Sequence, residues 1–355
     1  MARDWPDIET PQTEIPAMYA RGFGGVDEDR PELDEQFADQ IDRFGGTSDG
    51  EKVAYDLGFA GKADGELVIS GLLLVQDIFP EIYPGPAQTR GDCVSHSACG
   101  AASFSALCET TKGRDEITGQ IEVPPTCSAE SELDGVYSSE IIYHWRGKRS
   151  DGWRITGAAA ALTAPDKAGL VVRQNYRELG LDLTRYSGTT AGRWGATPPP
   201  EPVRKMTSQH NFTTASVLTS PEQWADHLKM GYGVGTDGGE AWQRTRNADG
   251  VSERSSGGWA HSMFVAAADL RESTKRKYPD SGGLILVVNS WGRSWIKGGR
   301  TVRDFRHPVT EKPVEIPHGS FWAKVKDLKN RRAVSFSGGR GYIADGLPDL
   351  SPNWS

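Results

Sequence analysis

Residues 197–205, TPPPEPVRK, separate two regions of opposite patterning. Three consecutive prolines hold φ near −65° and remove backbone donors, so no regular element runs through them. Before this break the apolar segments are small-residue and helix-like. CVSHSACGAASFSALC (93–108) lacks proline and suits a tightly packed buried helix, YSSEIIYHWR (137–146) a second, and the segment from the turn SDGW (150–153) through TGAAAALTAP a third. After the break NFTTASVLT, YGVGT, HSMFVAAA, LILVVNSW and GSFWAKV are short, β-branched or alternating, and predict strands. One helix, PEQWADHLKM (221–230), interrupts them, and RESTKRKYPDSGG predicts an exposed charged hairpin loop. Helices followed by strands predict an α+β fold.

The chain has 355 residues, 37% of them hydrophobic, enough for a large core without covalent staples. A net charge of −8 speaks against non-specific nucleic-acid binding. No apolar run reaches the ~20 residues of a membrane helix, and MARDWPDIETPQTEIP lacks the basic-then-apolar pattern of a secretory signal. The expectation is a protein with neither nucleic-acid nor membrane partner, cytoplasmic or virion-associated. The divisions expected are an acidic extension (1–80), a helical half (81–196), the Pro-rich connection (197–202), a strand-rich half (203–345) and a tail (346–355). Within the extension, residues 27–42 hold eight carboxylates against one arginine. PELDEQFADQIDRF there suits a short amphipathic helix, and the arm is expected to be solvated or to fold against an assembly partner.

Two glycine motifs carry no chemistry at this level. GTSDG (46–50) fits the nucleophile pattern of serine hydrolases but lacks the strand before and the helix after, so it predicts a turn. GVGTDG (233–238) fits the dinucleotide pattern, but the polar segment after it is no cofactor-binding helix. For the four cysteines, Cys93, Cys99, Cys108 and Cys127, the absent secretory signal predicts free thiols, and their spacing lacks the paired pattern of a zinc site, so no metal and no cofactor are expected. Cys99, Cys108 and Cys127 suit small buried side chains.

Cys93 differs by its context. QTRGDCVSHSACGA places it at the start of the predicted buried helix; GGWAHSMFVAAA places His261 at a strand start; GGLILVVNSWGRSWIKGG ends a strand at Asn289. These three pieces, in this order and with Asn289-Ser290-Trp291-Gly292 intact, resemble the papain-like cysteine peptidases. The Arg90-Gly91-Asp92-Cys93 form is similar to their cysteine-poor prokaryotic and viral branch. The resemblance covers roughly residues 80–345. It implies a helical left half and a β-barrel-like right half with the active site between them, and hydrolysis of peptide bonds in an extended peptide or protein substrate.

The chemistry supports those roles independently. A thiolate is the nucleophile, and a helix N-terminus beside an imidazolium lowers a cysteine pKa, so Cys93 is expected to be ionised. His261 is the expected base and acid, and Asn289 orients its ring. His96, three residues after Cys93 on the same helix face, is a rival base without an orienting partner. The resemblance further implies that Trp291 shields the His261–Asn289 pair. It places Gly152 and Trp153 against the substrate backbone and Trp259 and Ala260 along a side-chain pocket. The family's oxyanion glutamine lies six residues before the nucleophile; here that residue is Ala87, and Gln88 stands five before. Gln88 is the expected oxyanion donor, directed toward Cys93. A papain-like fold retained as a structural or binding component of a larger assembly, with weak or no catalysis, is the alternative.

Overall fold

The structure is a computed structural model that describes residues 62–78, 87–112, 137–146, 154–163, 169–207, 211–307 and 310–339. The order of elements follows the change in patterning at the prolines. A two-residue strand β1 (Leu67–Val68) and helix α1 (Ser70–Ile78) precede α2 (Cys93–Lys112), α3 (Ser139–Trp145) and α4 (Ile155–Thr163). A small hairpin, β2 (Asn175–Tyr176) and β3 (Leu181–Asp182), leads to α5 (Gly188–Ala196) and α6 (Glu201–Thr207), which flank the prolines. Then come β4 (Phe212–Leu218), α7 (Pro221–Lys229), β5 (Val234–Trp242), β6 (Thr245–Arg246) and the long β7 (Arg254–Asp269). The last elements are α8 (Glu272–Lys277), β8 (Leu284–Val288), β9 (Lys297–Gly298), β10 (Thr301–Arg306), β11 (Pro313–Glu315), β12 (Ser320–Lys324) and β13 (Arg332–Gly339). Helix α7 begins where sequence rules place it, with Ser220 capping the Gln223 N–H and Pro221 in the first turn.

The large sheet runs β12-β8-β7-β5-β13-β4, with β1 added on β7, and its pairs are antiparallel. The fold is therefore mixed α+β. The path does not return from β4 to β12, so among the described residues the strands of the expected β-barrel-like right half form an open sheet and no closed barrel. The expected loop after β7 is also corrected: Glu272–Lys277 forms the short helix α8, tied to β7 by Thr274 Oγ1 donating to Asp269 Oδ2 at 2.8 Å.

Helix α2 lies on the sheet because its side chains are small. Ala98, Ala101 and Ala102 are fully buried, and Ser97 Oγ donates to the Met263 carbonyl at 2.7 Å. The approach is close enough that the chain entering β5 needs glycine: a Cβ on Gly233 would lie 2.3 Å from the Ala101 carbonyl oxygen. A Cβ on Gly235 would meet Ile155 and Ser97. The first two glycines of GVGTDG, Gly233 and Gly235, thus serve helix-to-sheet packing. Phe104 of α2 packs between α1, at Gly71, and β7, where its ring centre lies 5.7 Å from that of Phe264. The amphipathic helix expected at 31–44, the GTSDG and SDGW turns, Cys127 and the tail lie outside the described residues.

Candidate active site

Cys93 is the first residue of α2, where backbone N–H groups have no partner within the helix and the helix dipole favours negative charge. The N–H groups of Val94 and Ser262 both favour the Cys93 thiolate, and Ser262 follows His261 on β7. Helix and strand are locked in this register by the Ser97–Met263 hydrogen bond one turn further on. His261 Nε2 lies 2.8 Å from Asn289 Oδ1. An amide oxygen only accepts, so Nε2 is the protonated nitrogen and the ring's lone pair is on Nδ1. Asn289 is the residue after β8, and its own N–H reaches the Gly319 carbonyl at 3.4 Å. Trp291 lies over the imidazole, with ring centroids 4.7 Å apart. Behind it Trp295 meets Trp291 edge-on at 5.3 Å and donates from Nε1 to Gly319 at 2.6 Å.

Gln88 belongs to the same cluster through the far side of the Asn289 loop. Its N–H donates to the Ser290 carbonyl at 2.7 Å, and its Oε1 accepts from Ser290 Oγ at 2.5 Å. Its Nε2 donates to the Arg90 carbonyl at 2.8 Å, so one of the two amide hydrogens is committed to the loop itself. That loop is held in turn by Tyr186, whose hydroxyl donates to Asp92 Oδ2 at 2.8 Å. Gln88, Cys93, His261, Asn289 and Trp291 are thus linked through direct contacts or immediate sequence neighbours. Trp259 and Ala260 precede His261 on β7 and are half-buried; Trp259 packs on Trp291 at 4.7 Å. Gly152 and Trp153 lie outside the described residues, but Ile155 just after them donates its N–H to Asp237 Oδ2 at 2.7 Å. Asp237 is the cross-strand partner of Ser262.

Burial acts against the expected ion pair. Cys93 and His261 are both fully buried. Removal from water pushes the thiol up to about 12, opposed by the Ser262 and Val94 N–H groups and assisted by the nearby Asp92 and Asp237. Burial likewise pushes His261 down to about 3, opposed by the Asn289 hydrogen bond and assisted by Arg331 and His96. Burial therefore favours the neutral thiol and the neutral imidazole over the ion pair. His96 is no competitor, since burial lowers it to about 3 and its Nε2 stands 3.6 Å from Asp92 Oδ1. Burial also raises Asp92, to about 7.

Sequence reading missed the polar support of this cluster. Arg331, Glu240 and Tyr186 belong to no motif, Asp237 stands in a glycine motif read for other chemistry, and all four come from remote segments. Cys93, Cys99 and Cys108 are free thiols. Among the described residues no three His, Cys, Asp or Glu side chains are grouped to hold a metal ion, and no helix is long and apolar enough to cross a membrane.

No family model matches the chain, and no curated protein matches it. Among solved structures it is similar to proCathepsin B S9 from Trypanosoma congolense, with 12% identity over 81% of this chain and 80% of that one, at a TM-score of 0.45. A likeness that remote carries no conclusion about function.

Proposed function

We propose that the chain is a papain-like cysteine peptidase that hydrolyses peptide bonds in an extended peptide or protein substrate. The observation that carries this reading is the 2.8 Å hydrogen bond from His261 Nε2 to Asn289 Oδ1, made beside the helix end that bears Cys93. It selects the tautomer in which Nδ1 can accept a proton. The sulfur of Cys93 attacks the scissile carbonyl carbon while its proton passes to His261 Nδ1. The oxyanion forms against the Cys93 N–H at the start of α2 and the remaining Nε2 hydrogen of Gln88. Collapse breaks the C–N bond, and His261 returns the proton to the leaving amine. Water, deprotonated by His261, then cleaves the thioester and restores the thiol. Trp291 keeps solvent from the His261–Asn289 bond. Trp259 and Ala260 line a side-chain pocket, and Gly152 and Trp153 meet the substrate backbone.

Incubation of the wild type and Cys93→Ala with a peptide library tests the reading. Cleavage by the wild type that vanishes in Cys93→Ala is the expected result. Rapid alkylation of Cys93 without cleavage of any peptide would overturn it.

Burial favours a second reading. A fully buried Cys93 and an amide hydrogen of Gln88 committed to Arg90 suit a papain-like fold kept as a component of a larger assembly, with the acidic segment 27–42 engaging a partner. Retained cleavage would exclude it.

A further inference from the structure

Arg331, just before β13, reaches under His261 with a fully buried guanidinium. Its Nη2 donates to the His261 carbonyl at 2.9 Å, and its Nη1 pairs with Glu240 Oε2 at 3.0 Å. Its Nε meets Thr236 Oγ1 at 3.4 Å, and the guanidinium carbon lies 5.5 Å from the Trp242 ring centre. Each nitrogen of the cation is thereby engaged. A charge this deep in the interior is stable only when paired, and Glu240 is the carboxylate that pairs it.

The backbone is shaped to admit this pair. Gly238 stands opposite His261 and Glu240 opposite Gly258, so β7 carries one residue more than β5 between these points. That bulge falls at Trp259 and Ala260, directly before the histidine, and re-aims the strand there. A Cβ on Gly238 would lie 2.7 Å from Glu240 Oε2 and 2.8 Å from Arg331 Cγ. A larger residue at the histidine's cross-strand position would displace the Glu240 carboxylate and the Arg331 stem, so glycine there suits the ion pair.

We propose that Arg331 and Glu240 form a charge clamp that positions His261 and sets how readily its imidazole accepts the Cys93 proton. The proposal deepens the peptidase reading and rests on it for the role of His261. The groups that act on His261 are His96 from α2, Asn289 and Trp291 after β8, and Arg331, while Glu240 reaches it through Arg331 and Asp237 stands opposite the next residue, Ser262. Of the cations among them only Arg331 bears a permanent charge, and it opposes formation of the imidazolium. Glu240 pairs with the same guanidinium at 3.0 Å, and in this proposal its negative charge offsets that opposition. The two members of the clamp therefore act on His261 with opposite signs although they hold the same structure together.

That opposition supplies the test. The readout is the ratio of Cys93 alkylation by iodoacetamide at pH 6 to that at pH 9, followed by mass spectrometry in the full chain. Reaction at pH 6 requires a thiolate stabilised by the imidazolium, whereas pH 9 favours any thiolate. Site accessibility enters both rates and cancels in the ratio. Arg331→Met is expected to raise the ratio about tenfold, the effect of one pKa unit on His261, and Glu240→Gln to lower it by a similar factor. Arg331→Lys, which keeps the charge, leaves it within about threefold of wild type on the same scale. Shifts of the two charge-removing variants in one direction, or no shift in either, would overturn the clamp. If Arg331→Met does not fold, the contrast of Glu240→Gln against Arg331→Lys decides: a fall in the first alone supports the clamp, and equal ratios refute it. Peptide hydrolysis is measured separately. Opposite shifts without hydrolysis leave the clamp standing and remove the peptidase reading; hydrolysis without shifts does the reverse.

Discussion

Ser290 Oγ donates to Gln88 Oε1 at 2.5 Å across 202 residues of sequence. With the 2.7 Å bond from the Gln88 N–H to the Ser290 carbonyl, it fastens the loop before Cys93 to the loop after Asn289. Gln88 is buried, so its acceptor depends on this hydroxyl. Ser290→Ala leaves a buried oxygen without its donor and is expected to lower stability by about 1–3 kcal/mol. Urea denaturation monitored by tryptophan fluorescence measures it; an unchanged midpoint would show that the bond contributes nothing.

Gln88→Ala removes the proposed second oxyanion donor. Loss of one such donor costs roughly 10²–10³ in turnover, and peptide cleavage is expected to fall by about 10²-fold. Alkylation of Cys93 develops no oxyanion, so its rate should change little. A parallel loss in both assays would mean that the loop has collapsed and that the amide has no chemical role.

Asp92 gives stability a pH dependence of known sign. Burial raises its carboxyl from 3.8 to about 7, so between these values the folded chain binds more protons than the unfolded one. The stability this group contributes is full below pH 3.8 and is lost as pH rises through 7. Asp92→Asn keeps an acceptor for the Tyr186 hydroxyl without the charge. Relative to its own value at pH 4, the variant should hold on the order of 3 kcal/mol more stability than wild type at pH 8. Equal pH profiles in chemical denaturation would refute the assignment.

The buried histidines act in the opposite sense. His227, whose Nδ1 lies 2.6 Å from Ser335 Oγ, is pushed by burial from 6.5 down to about 4. Its contribution is present above pH 6.5 and is lost as pH falls through 4. His227→Gln should therefore narrow the difference in unfolding free energy between pH 7 and pH 4, read from urea titrations at each pH; a difference as large as in wild type would count against it.

Gly233→Ala tests the seat of α2. The added carbon would meet the Ala101 carbonyl oxygen at 2.3 Å, a backbone atom that cannot rotate aside. Overpacking of this kind typically costs about 1–3 kcal/mol. Because α2 carries Cys93, the variant should also alter Cys93 alkylation. A variant as stable as wild type would show that helix and sheet separate easily.

Local patterning determined where most elements lie. The proline-free small-residue run became α2, the β-branched segments became β4, β7, β8 and β12, and the Ser220-Pro221 start became α7. Propensity, capping and alternation act over a few residues, so they are written locally. The segment 271–283 was misread because its charges mark exposure and not conformation, and α8 is held by a contact to β7. The candidate residues Cys93, His261, Asn289 and Gln88 were named from sequence because they stand in short motifs of recognisable order.

What surrounds them was decided only by the tertiary structure. Arg331 reaches His261 across 70 residues and Tyr186 reaches Asp92 across 94, and neither pairing leaves a trace in local composition. The charge state of the Cys93–His261 pair was likewise out of reach. A helix N-terminus and a neighbouring histidine suggest a thiolate, but ionisation depends on how much water remains at the atoms. Burial at that point is set by the sum of all the packed elements, and it pushes thiol and imidazole toward their neutral forms.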